Sequence, residues 1–202
     1  MIKEIENRMQ LHPFNLFGFA PLRKSAVLIP LIEVDGETHV LFEIRSHQLK
    51  SQPGEICFPG GKVEQEDASE QEAALRETCE ELGIDLDDVE IIHGLGVLVH
   101  PSSSSIFSFV GKIKTHHKIA PNEEVSEVFT VPLNYLMNYE PEIHYIQVKI
   151  QPEEEFPFEL IPDGRDYKWR HVRLPEYFYR YEDKIIWGLT ARILHEFIEL
   201  LK

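Results

Sequence analysis

Cysteine is scarce in this chain: Cys57 and Cys79 are the two among 202 residues. They have neither C-x-x-C spacing nor the density of a secreted disulfide framework. A reducing compartment, the cytoplasm, is the expectation. Positive charge is also in short supply, with 20 Lys and Arg against 35 Asp and Glu and a formal net charge of −15. That balance argues against non-specific binding to nucleic acid or to an anionic membrane. No apolar run approaches the ~18–20 residues a bilayer span requires. The opening Met-Ile-Lys-Glu-Ile-Glu lacks the apolar stretch of a secretory signal. The closing Glu-Leu-Leu-Lys is not a peroxisomal or endoplasmic-reticulum address. Internal repeats and low-complexity segments are missing too. At ~100–200 residues per domain, residues 1–202 read as one soluble domain, and the Pro-rich stretch 152–162 is too short to divide it.

What is present is an alternation of strand-like and helix-like segments. Residues 1–20 read as an N-terminal helix or arm. Ser25 to Val34 is apolar and β-branched, which predicts a strand. Asp35-Gly36 is a turn signal, and His39 to Ile44 completes a hairpin. A polar loop over 46–54 leads to a short strand, Glu55 to Phe58, ended by Pro59-Gly60-Gly61. Residues 69–82 form the clearest helix, with Ser69 and Glu72 at capping-box spacing and Gly83 at the C-cap. Strands follow at 89–99 and 106–113, around a loop holding His100-Pro101 and Ser102 to Ser105. Val128 to Val131 is a short strand and Pro132 to Met137 a short helix. Strands and loops fill 142–174. Ile185 to Leu201 reads as a second helix, with Ile186, Leu189, Ile193, Phe197 and Leu200 as its apolar stripe. The pattern predicts an α/β (α+β) fold, a mixed sheet covered by helices.

Chemistry concentrates on the first of these helices. Glu77, Glu80 and Glu81 stand at i, i+3 and i+4 and share one face. Like charges so placed repel by a few tenths of a kcal/mol per pair. A hard divalent cation reverses that sign, because Mg²⁺ and Mn²⁺ favour oxygen ligands. The bland alternative is a solvated acidic face, with Arg76 as an ordinary i,i+4 partner of Glu72 or Glu80. Gly60-Gly61 just upstream allows close backbone approach to a ligand, or is simply a turn. Cys79 lies off the carboxylate face and reads as packing.

Residues 61–84 resemble the Nudix box of the Nudix hydrolases. The match runs through Gly61, Asp67 where the family usually has Glu, Arg76-Glu77, Glu80-Glu81, Gly83 and Ile84. The gap from Asp67 to Arg76 is one residue longer than usual. Upstream, Leu41-Phe42-Glu43-Ile44-Arg45-Ser46, Lys50, Gly54 and Phe58-Pro59-Gly60-Gly61 are similar to the extra motif of the coenzyme A diphosphatase branch. Phe42 and Glu43 depart from that motif, and Lys50 replaces its second Arg, keeping charge without the bidentate fork. Glu124 to Phe129, Val131-Pro132-Leu133 and Ile186 to Ala191 extend the likeness to about residues 25–200.

The resemblance implies a Nudix-type α/β/α sandwich and Mg²⁺- or Mn²⁺-dependent cleavage of a diphosphate bond. For coenzyme A the products are 3′,5′-ADP and 4′-phosphopantetheine. The implied metal ligands are Glu77, Glu80, Glu81 and the Gly60 carbonyl. Arg76 orients the glutamates, and Glu77 and Glu81 act with it in catalysis. Arg45 and Lys50 are the implied substrate contacts, though for Arg45 a surface salt bridge is an equal reading. Glu77, Glu123, Glu124 and Glu127 all stand as general-base candidates. The histidines, including the pair His116-His117, read as solvent-exposed. The expected partner is a small nucleotide, with neither nucleic acid nor membrane, and the assembly, homodimer included, is left open. Rival readings are another Nudix substrate (ADP-ribose, NADH or a nucleoside triphosphate), a non-catalytic Nudix-like binding module, and a plain acidic interaction domain.

Overall fold

The computed structural model describes residues 1–10, 23–101, 104–114 and 118–202. Its elements run α1 (Ile2–Gln10), β1 (Arg23–Val34), β2 (Glu37–Arg45), β3 (Ile56–Cys57), β4 (Gly60–Lys62), α2 (Glu70–Leu82), β5 (Val89–His100), β6 (Ser104–Ile113) and β7 (Val125–Pro132). Then come α3 (Leu133–Asn138), β8 (Glu142–Val148), β9 (Val172–Tyr181), β10 (Lys184–Ile186) and α4 (Gly188–Leu201). Ser102, Ser103, His116 and His117 lie outside the described residues.

β1 is the organising strand. Its apolar run is continuous because both faces are covered, as periodicity of one-sided burial would not allow. Ala26, Leu28 and Ile32 face the side that receives α2, while Val27, Ile29 and Leu31 face the side that receives α4. Along one edge β1 pairs in parallel with β6 over its whole middle. Along the other it changes partner: β4 pairs with Ser25 to Val27, and β2 with Leu31 to Val34. Pro30 falls in the gap between those partners. The Leu28 amide points to that edge, donating to the Pro59 carbonyl at 3.0 Å. The amide two residues on would face the same edge, so proline's missing N–H removes no ladder bond there.

The sheet is mixed, in the order β3-β2-β1-β6-β5, with β4 added to β1 and β7 to β2. Leu82, Ala73 and Ala74 pack α2 onto one face. Ile193, Leu194, Phe197 and Ile198 pack α4 onto the other, against Ile29, Val40 and Phe42. This is the expected α/β/α sandwich. A second, antiparallel sheet, β10-β9-β8, covers residues 142–186.

Four local expectations need correction. Gly60-Gly61 does not simply end a strand, because residues 60–62 are themselves strand β4. The last helix starts at Gly188, not at 185; Lys184–Ile186 is strand β10, paired with β9. Leu200 is 72% exposed and leaves the buried stripe, which Ala191, Leu194 and Ile198 complete instead. The 100–105 loop is also tighter than expected, since β6 already begins at Ser104.

Candidate active site

α2 is aimed by its ends. Ser69 Oγ accepts the Glu72 amide at 3.2 Å, and Glu72 Oε2 reaches back to the Ala68 amide at 2.8 Å. Both satisfy donors that a helix start leaves orphaned. Gly83 closes the helix at φ 63°, a left-handed conformation that suits glycine. Fixed at both ends, the helix presents Glu77 and Glu81 to the glycines of β4. The Glu81 carboxylate is 4% exposed, and its Oε2 accepts the Gly60 amide at 2.7 Å. Glu77 packs its carboxylate directly over Gly61, where a Cβ would collide with it. So the Gly-Gly pair is required here by close approach, and the group shown facing Glu81 is the Gly60 amide.

Arg76 grips the rim of this cluster. Its Nε and Nη2 fork onto Asp67 at 2.9 and 3.1 Å. Nη2 also meets Glu77 Oε1 at 3.0 Å, and Nη1 meets Glu80 Oε2 at 3.4 Å. The longer spacing between Asp67 and Arg76 therefore does not part them. Asp67 is the main partner of Arg76 and is held below the usual carboxylate range by that hydrogen bond. Glu80 turns outward to Arg76, with its side chain 57% exposed.

A further group sits on the sheet side. Glu43, on β2 opposite Cys57 of β3 and Val128 of β7, is 1% exposed. The Cys57 thiol donates to its Oε1 at 3.2 Å. Its Oε2 is buried with no hydrogen-bond partner, as is the Nε of Arg45. Arg45 Nη1 stands 4.0 Å from Glu81 Oε1. Burial pushes Glu43 up to about 7 against the pull of Cys57 and Arg45, and burial followed by the charge of Glu43 pushes Glu81 up to about 8. Glu77 is raised as well, chiefly by burial, against the pull of Arg76.

The other expected residues divide. Glu124 bears on the site, since its charge raises both Glu43 and Glu77. Its carbonyl accepts the Ser46 amide at 2.7 Å, which ties the 124 loop to the end of β2. Glu127 is paired with Lys184 at 3.0 Å. Glu123 is exposed, and so is Lys50, which forms no ion pair among the described residues. Cys79 packs beside Leu82 in the core under α2, as expected. Sequence reasoning did not assign Glu43 and Cys57 to the site. The available signal was a carboxylate in the interior of an otherwise apolar strand.

Among the described residues, no three His, Cys, Asp or Glu side chains converge into a closed cation cage. The donor chemistry nonetheless fits a hard divalent ion. The donors are carboxylate oxygens, one of them buried and orphaned, and a glycine cradle beneath Glu77 leaves no room for a Cβ.

The NUDIX domain family matches residues 22–153, well over half of the chain. The chain belongs to the Nudix family. Its relatives include the peroxisomal coenzyme A diphosphatase NUDT7 of Mus musculus, 37% identical over 134 residues. That match covers 66% of this chain and 56% of the mouse protein, so the chain spans little more than half of that relative. Nudix hydrolase 3 of Caenorhabditis elegans is 33% identical across 87% of this chain and 72% of its own length. A Nudix hydrolase NudL of Pectobacterium atrosepticum, described as uncharacterized, is 32% identical across 96% of this chain and 92% of its own. Among solved structures, a MutT/nudix family protein from Enterococcus faecalis superposes with a TM-score of 0.53 at 14% identity, covering 100% of this chain and 70% of that one. At that identity the likeness supports the Nudix fold alone. No helix among the described residues is long and apolar enough to cross a membrane.

Proposed function

We propose that this Nudix protein hydrolyses the diphosphate bond of coenzyme A or its derivatives, giving 3′,5′-ADP and 4′-phosphopantetheine. The observation that carries the hydrolase reading is Glu81, buried on the Gly60 amide beside Glu77 and under the Arg76 clamp. The coenzyme A reading rests on the motif from Leu41 to Gly61 and on the mouse diphosphatase relative. Residues 1–202 are taken as one hydrolase domain, and the cytoplasm as its compartment on the reading of two unpaired thiols.

Glu77, Glu80 and Glu81, with the backbone of Gly60, would hold Mg²⁺ or Mn²⁺. When bound, such an ion neutralises the diphosphate and makes water a better nucleophile. The chain's own residues do the rest. Arg76 orients Glu77 and Glu80, and Asp67 orients Arg76. Arg45, with its guanidinium near Glu81, meets a substrate phosphate, and the exposed Lys50 in the loop after β2 is the second proposed substrate contact. Glu124 joins Glu77 as a general-base candidate on its electrostatic contact with the site.

The deciding assay sets coenzyme A beside ADP-ribose, NADH and nucleoside triphosphates with Mg²⁺ and with Mn²⁺. Fastest turnover of coenzyme A is expected. Faster turnover of ADP-ribose would leave a Nudix hydrolase with another substrate. No hydrolysis of any diphosphate would make the protein a binding module.

A further inference from the structure

A carboxylate inside a sheet is costly, because removing an ion from water carries a penalty that only a counter-charge or full hydrogen bonding offsets. Glu43 has neither in full. It is 1% exposed, wedged between β3 and β7 in the middle of the sheet. One oxygen takes a hydrogen bond from Cys57, and a thiol is a weak donor. The other oxygen, Oε2, has no hydrogen-bond partner although it is fully shielded from solvent. Packing gives no reason for a carboxylate here, since Leu41 two residues earlier faces the same side as a plain core residue.

The neighbourhood points to what completes it. Glu43 stands on β2 between Leu41, which packs in one cluster with Leu82 of α2, and Arg45, whose Nη1 is 4.0 Å from Glu81, so it lies on the Glu81 side of the sheet. Arg45 stands 4.0 Å from Glu81, too far for a firm hydrogen bond, and its own Nε is unpartnered. With one guanidinium nearby, two buried carboxylates on that side of the sheet are ionised together only when a further positive charge is supplied. A divalent cation supplies it with the oxygen coordination such ions prefer. On α2, meanwhile, Glu80 is drawn outward by Arg76, so a donor from the sheet would add to the carboxylates of α2 on the inner side.

We propose that Glu43 is a strand-borne ligand of the divalent cation, its unpartnered Oε2 joining Glu81 to bind the ion from the sheet side while Cys57 fixes the other oxygen. This inference rests on the metal-site reading above and adds to it a ligand from outside the α2 helix.

The test is binding of Mn²⁺ alone, followed by electron paramagnetic resonance and by the thermal midpoint, in wild type, Glu43→Gln, Glu43→Thr and Glu81→Gln. Glu43→Gln is expected to weaken Mn²⁺ binding by about tenfold or more, and to shrink the Mn²⁺-induced rise in midpoint. Its metal-free midpoint is expected to hold or to rise, because an uncompensated buried charge has gone. Glu43→Thr, which fills the site with a smaller neutral group, is expected to show the same loss of affinity. The proposal is overturned if Glu43→Gln and Glu43→Thr bind Mn²⁺ like wild type while Glu81→Gln does not. A lowered metal-free midpoint with unchanged Mn²⁺ affinity also overturns it, since that marks a structural role. If wild type itself binds no Mn²⁺, the metal-site reading fails first and this one with it.

Discussion

Gly60 and Gly61 are neighbours with different reasons to be glycine, and their substitutions separate. At Gly60, φ is +147° and a Cβ would strike the backbone of Ala26 and Val27. Nothing there can yield cheaply, so Gly60→Ala is expected to lower the unfolding midpoint measurably. At Gly61 the obstacle is the end of the Glu77 side chain, which can swing away. Gly61→Ala is therefore expected to keep a near-wild-type melting curve and lose divalent-ion affinity by about tenfold. A stable Gly60→Ala protein, or a Gly61→Ala protein with intact Mn²⁺ binding, would contradict the cradle. The same scale holds a prediction for Asp67. Asp67→Asn leaves Arg76 without a charged fork partner, and kcat is expected to fall by about tenfold while KM stays nearly constant. A change confined to KM would remove Asp67 from the orienting chain.

Among the elements, α2 stakes most on its ends. Ser69→Ala removes the cap on the Glu72 amide and is expected to cost about 1 kcal/mol in chemical denaturation. Gly83→Ala should cost more, because φ is 63° and the Ala120 carbonyl fills the space a Cβ needs. This helix was readable residue by residue from the sequence, since capping and periodicity are local signals. β1 and β2 were readable as a hairpin for the same reason, through the Asp35-Gly36 turn. The start of α4 was not. Ile186 continues a helical stripe by spacing alone, and only its pairing opposite Tyr179 on β9 makes it a strand residue. β4 was invisible for a similar reason, because Gly60-Gly61 carries turn propensity and its pairing with Val27 and Ala26 is a tertiary fact.

For the whole molecule, buried acid chemistry sets a pH dependence. Without a cation, the folded state holds Glu43 up to about 7 and Glu81 up to about 8, against an ordinary 4.5. The folded state then binds more protons than the unfolded chain between those values. Stability is present below about 4.5 and is lost as pH rises toward 8. Urea midpoints in EDTA are expected to fall across that window, and Glu43→Gln to flatten the fall. A midpoint that climbs across the window would contradict the burial of these two groups. The candidate site was half legible in the sequence. Glu77, Glu80, Glu81 and Arg76 stand out once their helical spacing is joined to Gly60-Gly61 and the resemblance of residues 61–84 to the Nudix box. Glu43 does not, because Glu81 is 38 residues away in the chain and only the fold brings both to one side of the sheet. For the same reason Asp67 could be joined to Arg76 only once the loop between them was placed.

In the proposed function, Glu81, buried and bonded to the Gly60 amide, is the group that makes a cation site a hydrolytic one. The most direct measurement is the rate of 4′-phosphopantetheine release from coenzyme A with Mn²⁺ by wild type and by Glu81→Gln, each checked for fold by circular dichroism. A folded Glu81→Gln protein slower by at least ~10²-fold is the predicted result. A folded Glu81→Gln protein that releases product at the wild-type rate would contradict the account.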